Sequence, residues 1–68
     1  MVALLEAMPD ESLHVGDVGT IVHVYDNAEA YEVEFVNPAP PPRYVVVAVE
    51  AHRLLALNYY DPQPLAAR

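Results

Sequence analysis

A chain of 68 residues has room for one small domain, and without a cysteine it lacks the residues for a disulfide framework or a thiolate zinc site. Ten carboxylates face three arginines and no lysine, so the formal net charge is −7. That balance argues against non-specific nucleic-acid binding, which depends mainly on Lys and Arg at phosphates, and favours basic or neutral protein partners. Hydrophobic residues make up 54% of the chain, which predicts a folded domain.

The N-terminal segment predicts a short strand at Val2–Leu5, followed by a turn at Met8–Ser12. A helix over Val2–Leu5 is the alternative. The apolar run has no basic residues before it and is interrupted at Glu6, so it predicts neither a signal peptide nor a membrane span. Together with the absence of cysteine, this favours the cytoplasm.

Both glycines precede or begin the second predicted strand, which covers Gly19–Tyr25. We expect Gly16 and Gly19 to shape the bend that leads into this strand. Their spacing fits neither a dinucleotide-binding fingerprint nor a P-loop, and a strand follows them where those motifs need a helix. No nucleotide or other cofactor is predicted.

The third strand, Tyr31–Val36, alternates between apolar and acidic residues. The alternation predicts one inward-facing and one outward-facing set. The inward set is Tyr31, Val33 and Phe35, and the outward set is Glu32 and Glu34.

The second and third strands predict a hairpin whose register depends on which face of the second strand is buried. Turning Val22 and Val24 inward avoids the burial of His23. Val24 then lies opposite Val33 with a loop at residues 27–30, and the remaining pairs are Val22 with Phe35, His23 with Glu34, and Tyr25 with Glu32.

The segment Pro38–Arg43 predicts an exposed, stiff connection, because proline lacks a backbone donor. The run Tyr44–Val49 predicts a fourth strand with Val46 outward, available to cover a second surface. Its inward residues are Val45, Val47 and Val49. A short turn at residues 50–52 then leads to a fifth strand at Arg53–Leu57.

Five short strands without a long helix predict an all-β fold, specifically a small SH3-like barrel with a short turn before its last strand. We expect the domain to cover residues 1–57. Residues 58–68 contain two prolines and no periodicity, which predicts a tail that is poorly ordered unless a partner holds it.

Three segments carry a resemblance to a known family: Val2–Leu5, Gly16–Val22 and Ala30–Phe35. They resemble a small uncharacterised bacterial family with an N-terminal VALL motif, and the resemblance extends through Leu54. A wider likeness is to SH3-like barrels, including the nitrile hydratase β-subunit barrel and KOW-type modules. The resemblance implies a partner role beside small neighbouring proteins, including toxin-like ones, and no catalytic residues. The Pro-rich connection and the Tyr-containing tail depart from the family pattern.

The sequence predicts no catalytic or metal site. His14, His23 and His52 show no metal-ligand spacing, and surface or cross-strand positions are expected for them. A cross-strand ion pair between His23 and Glu34 is predicted as a structural contact. No nucleophile has a recognisable base, and a domain this small is expected to have little room for a pocket of the usual ~300–1,000 Å³. The protein is therefore not expected to be an enzyme.

A candidate partner surface comprises acidic residues of the hairpin and three tyrosines: Tyr25, Glu29, Glu32, Glu34, Tyr59 and Tyr60. The acidic group suits a basic partner, although a solvated outer face explains each residue singly. Tyr59 and Tyr60 are predicted either to anchor a partner or to cover the open end of the barrel. The segment Pro38–Arg43 also fits the P-x-x-P-x-R pattern of SH3-domain ligands. The simpler interpretation of this segment is a rigid connector.

Three functions remain as hypotheses. The first is a non-enzymatic protein-interaction module, antitoxin-like or accessory to a neighbouring protein. The second is a KOW-like nucleic-acid-binding module. The third is a structural homo-oligomer in which the strand Tyr44–Val49 pairs with its copy.

Overall fold

The computed structural model describes residues 1–37 and 39–57, together with the backbone of residues 63–64. These residues contain three 3₁₀ turns, at Pro9–Glu11, Asp26–Ala28 and Ala51–Arg53, and no α-helix. The strands are β1 (Val2–Leu4), β2 (Val18–Val24), β3 (Ala30–Asn37), β4 (Arg43–Glu50), β5 (Leu54–Ala56) and β6 (Gln63–Pro64). The prediction of an all-β fold is confirmed, and the helical alternative for the N-terminal segment is wrong. Nowhere in the described ranges is there a helix of the length and apolarity needed to cross a bilayer.

The strands form one antiparallel sheet in the order β4-β3-β2-β1-β5-β6. Among the described strands, no ladder joins β4 to β5 or β6, so the sheet is open between these ends. The closed barrel predicted from the sequence is therefore not confirmed. The described fold is an open antiparallel sheet.

The core lies on one face of this sheet and brings its two halves together. Leu4 of β1 and Leu54 of β5 are buried in the same cluster as Val33 of β3 and Val49 of β4. Since β1 and β5 lie beyond β2 in the strand order, the sheet must curve for these side chains to meet. The predicted inward sets of the third and fourth strands are confirmed: Val33, Phe35 and Val49 are buried, and Tyr31, Val45 and Val47 pack against the cluster.

The two glycines serve different purposes. Gly16 has a φ of +90°, a conformation that side chains rarely adopt, and its N–H donates to the carbonyl of Leu4 at 2.8 Å. Gly19 lies in β2, where an added Cβ would be 2.6 Å from Cγ1 of Val33. Gly16 therefore makes the bend, whereas Gly19 allows β3 to approach β2 closely.

The predicted register of the second strand and the predicted inward position of Val22 are wrong, because β2 contains an irregularity at Val22. Ile21 pairs with Val33, while His23 pairs with Glu32, so one extra residue separates the two pairs. Such a bulge reverses the alternation of faces along a strand. Ile21 lies on the core face before it and Val24 lies opposite Tyr31 after it.

Val22 and Val24 were predicted to face inward. Val22 is the extra residue of the bulge and is 53% exposed, whereas Val24 lies opposite the inward-facing Tyr31 but is still 52% exposed. In an uninterrupted strand, burying Ile21 would also bury His23. The bulge lets Ile21 face the core and leaves His23 exposed.

Residues 63–64 of the predicted tail add a two-residue strand to the edge of β5, with Leu55 opposite Pro64. The other residues of the predicted tail lie outside the described part of the chain.

Candidate interaction surface

The surface of β2, β3 and β4 that points away from the core combines acidic and apolar residues. Directly opposed residues of an antiparallel pair share a face, so the β3–β4 register assigns its members. Glu32 lies opposite Ala48, Glu34 opposite Val46, and Val36 opposite Tyr44. Thr20 and His23 of β2 extend the same face, since they lie opposite Glu34 and Glu32. We call this surface the outer face.

A hydrogen bond joins two of the predicted site residues on this face. The hydroxyl of Tyr25 donates to Oε1 of Glu32 at 2.7 Å, and the His23 ring meets the Tyr25 ring edge-on with 4.9 Å between centroids. This hydrogen bond raises the pKa of the Tyr25 phenol above its ordinary value of 10.0. Ionisation of the phenol would break the hydrogen bond and place the phenolate next to the negative charge of Glu32. The sequence predicted Tyr25 directly opposite Glu32. In the structure His23 takes that position, and Tyr25 reaches Glu32 through its side chain.

The predicted pairing of His23 with Glu34 is wrong. Thr20 lies opposite Glu34, and His23 lies opposite Glu32. The one-residue shift at the bulge moves the histidine one position along β3, and no described ion pair contains Glu34.

Glu29 lies apart from the other predicted acidic residues, in the connection between β2 and β3. Its side chain is exposed, and its backbone carbonyl accepts a hydrogen bond from the N–H of Ala51 at 2.9 Å. The structure therefore brings Tyr25, Glu32 and Glu34 onto one face and places Glu29 at its end. Tyr59 and Tyr60 lie outside the described residues.

Apolar side chains occupy the half of the outer face that lies towards the Pro-rich connection between β3 and β4. Tyr44 is 66% exposed, and Val36 and Val46 are each 47% exposed. Val18 of β2 is also exposed at 43%. Four neighbouring apolar residues of this kind are typical of a contact surface when they lie together on one face.

The cations of the described chain do not neutralise the acidic pair. Arg53 binds Glu6 through Nε and Oε1 at 3.4 Å, and the ion pairs of the described residues involve neither Glu32 nor Glu34. Both glutamates are partly exposed. The outer face thus presents two carboxylates that are not paired with a cation from the described residues.

The histidines lie in separate parts of the fold. Nδ1 of His14 is 3.7 Å from Asp17 in the β1–β2 connection, and Nδ1 of His52 is 3.9 Å from Glu50. Within the described ranges, no three residues of metal-ligand type come together.

A groove that the sequence did not predict lies between the β1–β2 connection and the end of the β3–β4 hairpin. Its volume is about 510 Å³, within the range common for ligand pockets, so the expectation that the domain has little room for one is wrong. Leu13 and Phe35 are buried in its lining, and His14, Arg43 and Tyr44 line its exposed parts. Its residues come from the β1–β2 connection and from the β3–β4 hairpin, which are far apart in sequence, so no local pattern signals it.

The Pro-rich connection is exposed at residues 39–42, and the N–H of Ala39 donates to Oδ1 of Asn37 at 3.1 Å. Pro38, the first residue of the P-x-x-P-x-R pattern, lies outside the described residues.

Comparison with known proteins identifies a family but no activity. No curated protein and no solved structure matches the chain significantly. A family model described as "Domain of unknown function (DUF4926)" matches residues 1–39, which include β1, β2 and β3. The match ends in the Pro-rich connection, whereas the predicted resemblance extends through Leu54. The chain belongs to the DUF4926 family of domains of unknown function.

Proposed function

We propose that this protein is a non-enzymatic interaction module that binds a basic protein partner through its outer face. The observation that carries the proposal is the position of Glu32 and Glu34, side by side on β3 and without a cation from the described chain, next to the exposed Tyr44 and Val46. Protein interfaces combine apolar contact with charge complementarity, and this face offers both.

The net charge of −7 gives the proposal a second support. A field of one sign accelerates encounter with an oppositely charged partner, and the effect weakens as salt rises. We expect binding to be tighter at low ionic strength for this reason. The same charge disfavours nucleic acids as ligands.

We further propose that the domain covers residues 1–57 as an open variant of the SH3-like barrel. Its support is the strand order β4-β3-β2-β1-β5 and the 3₁₀ turn at Ala51–Arg53 before β5. An antitoxin-like or accessory role for a neighbouring protein in the cytoplasm fits this reading, since a small acidic module would neutralise a basic partner. Tyr59 and Tyr60 remain candidates for additional partner contacts.

The test is affinity capture from the native cell with two double variants. Glu32→Gln with Glu34→Gln removes both carboxylates from the outer face, and Asp10→Asn with Glu11→Gln removes the same charge from the exposed turn at Pro9–Glu11. A partner captured stoichiometrically by the wild type and by the Asp10/Glu11 variant, but lost with the Glu32/Glu34 variant, supports the proposal.

Equal recovery of the partner with both double variants would refute the assignment of the outer face. A gel-shift at low salt tests the nucleic-acid alternative. A specific complex with RNA or DNA that survives the removal of Glu32 and Glu34 would replace the proposed function.

A further inference from the structure

The edge of β4 presents an open row of backbone groups. β4 is paired with β3 over its whole length, from Ala30 opposite Glu50 to Asn37 opposite Arg43, and it ends the strand order of the sheet. In the described chain, no strand pairs with its other edge. Alternate N–H and C=O groups of β4 therefore point outward, where they are available to another strand.

The composition of β4 does not protect this edge. Natural edge strands are usually interrupted by a charge, a proline or a bulge, which prevents further pairing. The charges of β4 are confined to its ends, at Arg43 and Glu50, and the run Tyr44–Val49 between them has none. The β3–β4 register is continuous, without a bulge. An exposed edge of this kind favours strand addition.

We propose that β4 accepts an extended segment of a partner as an additional strand, with Lys or Arg on its outer side and apolar residues on its inner side. This inference rests on the proposed function and names the mode of binding. The inner side of the added strand would continue the row of Val45 and Val47, which are only partly buried and pack against the core cluster.

Charge determines the outer side of the added strand. Glu32 lies behind Ala48 as seen from the free edge, and Glu34 lies behind Val46. The Ala48 side chain is a single methyl group, so a long Lys or Arg side chain can extend across it to the carboxylate. The added strand therefore gains hydrogen bonds to β4 and ion pairs to β3 together.

A second copy of the chain fits this edge less well. An antiparallel pair about a twofold axis keeps outer residues opposite outer residues, so the partner's outer positions would be filled from Tyr44, Val46, Ala48 and Glu50. None of these is a cation, and two chains of −7 would give the pair a net charge of −14. A basic extended segment avoids both problems.

The test uses the full-length protein, labelled with ¹⁵N, and three synthetic ten-residue probes. One probe alternates Lys and Val, one alternates Glu and Val, and the third is the Lys probe with four consecutive central amides N-methylated. The third probe keeps the charge but cannot donate hydrogen bonds from its central amides to a strand edge. Sedimentation of each probe alone checks that it is monomeric.

We expect the Lys probe to bind at least about tenfold more tightly than the Glu probe at low salt, and N-methylation to weaken its binding by at least about tenfold. Exchange of alternate β4 amides should slow when the Lys probe binds. Replacing Glu32 and Glu34 by Gln should weaken its binding roughly three- to tenfold, while the Asp10/Glu11 variant keeps most of the affinity.

Three outcomes would overturn the inference. Equal binding of the methylated and unmethylated Lys probes, without added protection of β4 amides, would refute strand addition. It would remain consistent with a basic partner that binds the outer face. Absence of Lys-probe binding, or binding confined to the groove near Leu13 and Tyr44, would remove this mode, and the capture experiment would decide the proposed function separately. Protection of the outward-pointing β4 amides without any probe, in a protein that sediments as a dimer, would assign the edge to a second copy.

Discussion

Gly19→Ala is expected to destabilise the protein, although alanine normally suits a strand better than glycine. In an open strand position, alanine is favoured over glycine by roughly 0.5–1 kcal/mol, because glycine loses more backbone freedom on folding. The Cβ added at Gly19 would lie 2.6 Å from Cγ1 of Val33, 2.8 Å from the carbonyl oxygen of Glu34 and 2.9 Å from Cδ1 of Phe35. These distances are well below van der Waals contact.

The surroundings of Gly19 cannot yield easily. Val33 is fully buried and Phe35 is 3% exposed, so neither side chain has free space to enter, and the third neighbour is backbone. Forcing an extra carbon into a packed core costs about 1–3 kcal/mol. After the gain in backbone freedom is subtracted, a net loss of about 1 kcal/mol in the free energy of unfolding is expected, within a range of roughly 0–2.5 kcal/mol.

Urea unfolding followed by circular dichroism measures this loss. For a small domain with an m-value of about 1 kcal/mol/M, the midpoint should fall by about 1 M. The matched control is Ala48→Gly on the exposed outer face of β4, which should lose roughly 0.5–1 kcal/mol through backbone freedom alone. If Gly19→Ala instead raises the midpoint by the amount that Ala48→Gly lowers it, the close approach of β3 to β2 is not present in solution.

Three further predictions test the core, the outer face and the bulge. Leu54→Ala should cost about 2–5 kcal/mol, since Leu54 is fully buried, and a thermal melt that changes little would contradict the core assignment. Glu32→Gln should lower the pKa of Tyr25 towards 10.0 in an NMR pH titration, and an unchanged pKa would contradict the hydrogen bond. Because folding raises this pKa, the stabilisation from the hydrogen bond is present below pH 10 and is lost as the pH rises through the pKa of the folded state. Val22→Thr should change stability by no more than about 0.5 kcal/mol, as expected for an exposed bulge residue, whereas a large loss in urea unfolding would restore the inward position.

The sequence predicted the third and fourth strands well because both signals are local: the third strand has a two-residue period, and the fourth is a continuous β-branched apolar run of strand length. Tyr31, Val33 and Phe35 alternate with glutamates, and this alternation assigns the faces without knowledge of the neighbouring strands. The turn before β5 was also predicted, from the short polar interruption between two apolar runs. These features depend on residues that are adjacent in the chain.

The candidate site was predicted in part. Tyr25, Glu32 and Glu34 lie on one face as expected, because the period of β3 places the glutamates and the hairpin brings Tyr25 to them. Of the exposed apolar half of that face, only the outward position of Val46 was predicted, and the groove beside it was not. The groove combines the β1–β2 connection with the β3–β4 hairpin, which are far apart in sequence, and no local pattern records that they meet.

The amino-acid sequence by itself determined the all-β class, the acidic balance and the alternation of β3, since these follow from composition and local spacing. Only the tertiary structure decided the register of β2, the bulge at Val22 and the opening of the sheet. The run Val18–Val24 has no regular period, so its phase is set by contacts with β3: Gly19 must lie beneath Val33 and Phe35, and Ile21 must enter the core. A bulge satisfies those contacts and keeps His23 exposed to water. This arrangement depends on how β2 and β3 pack together and not on either strand alone.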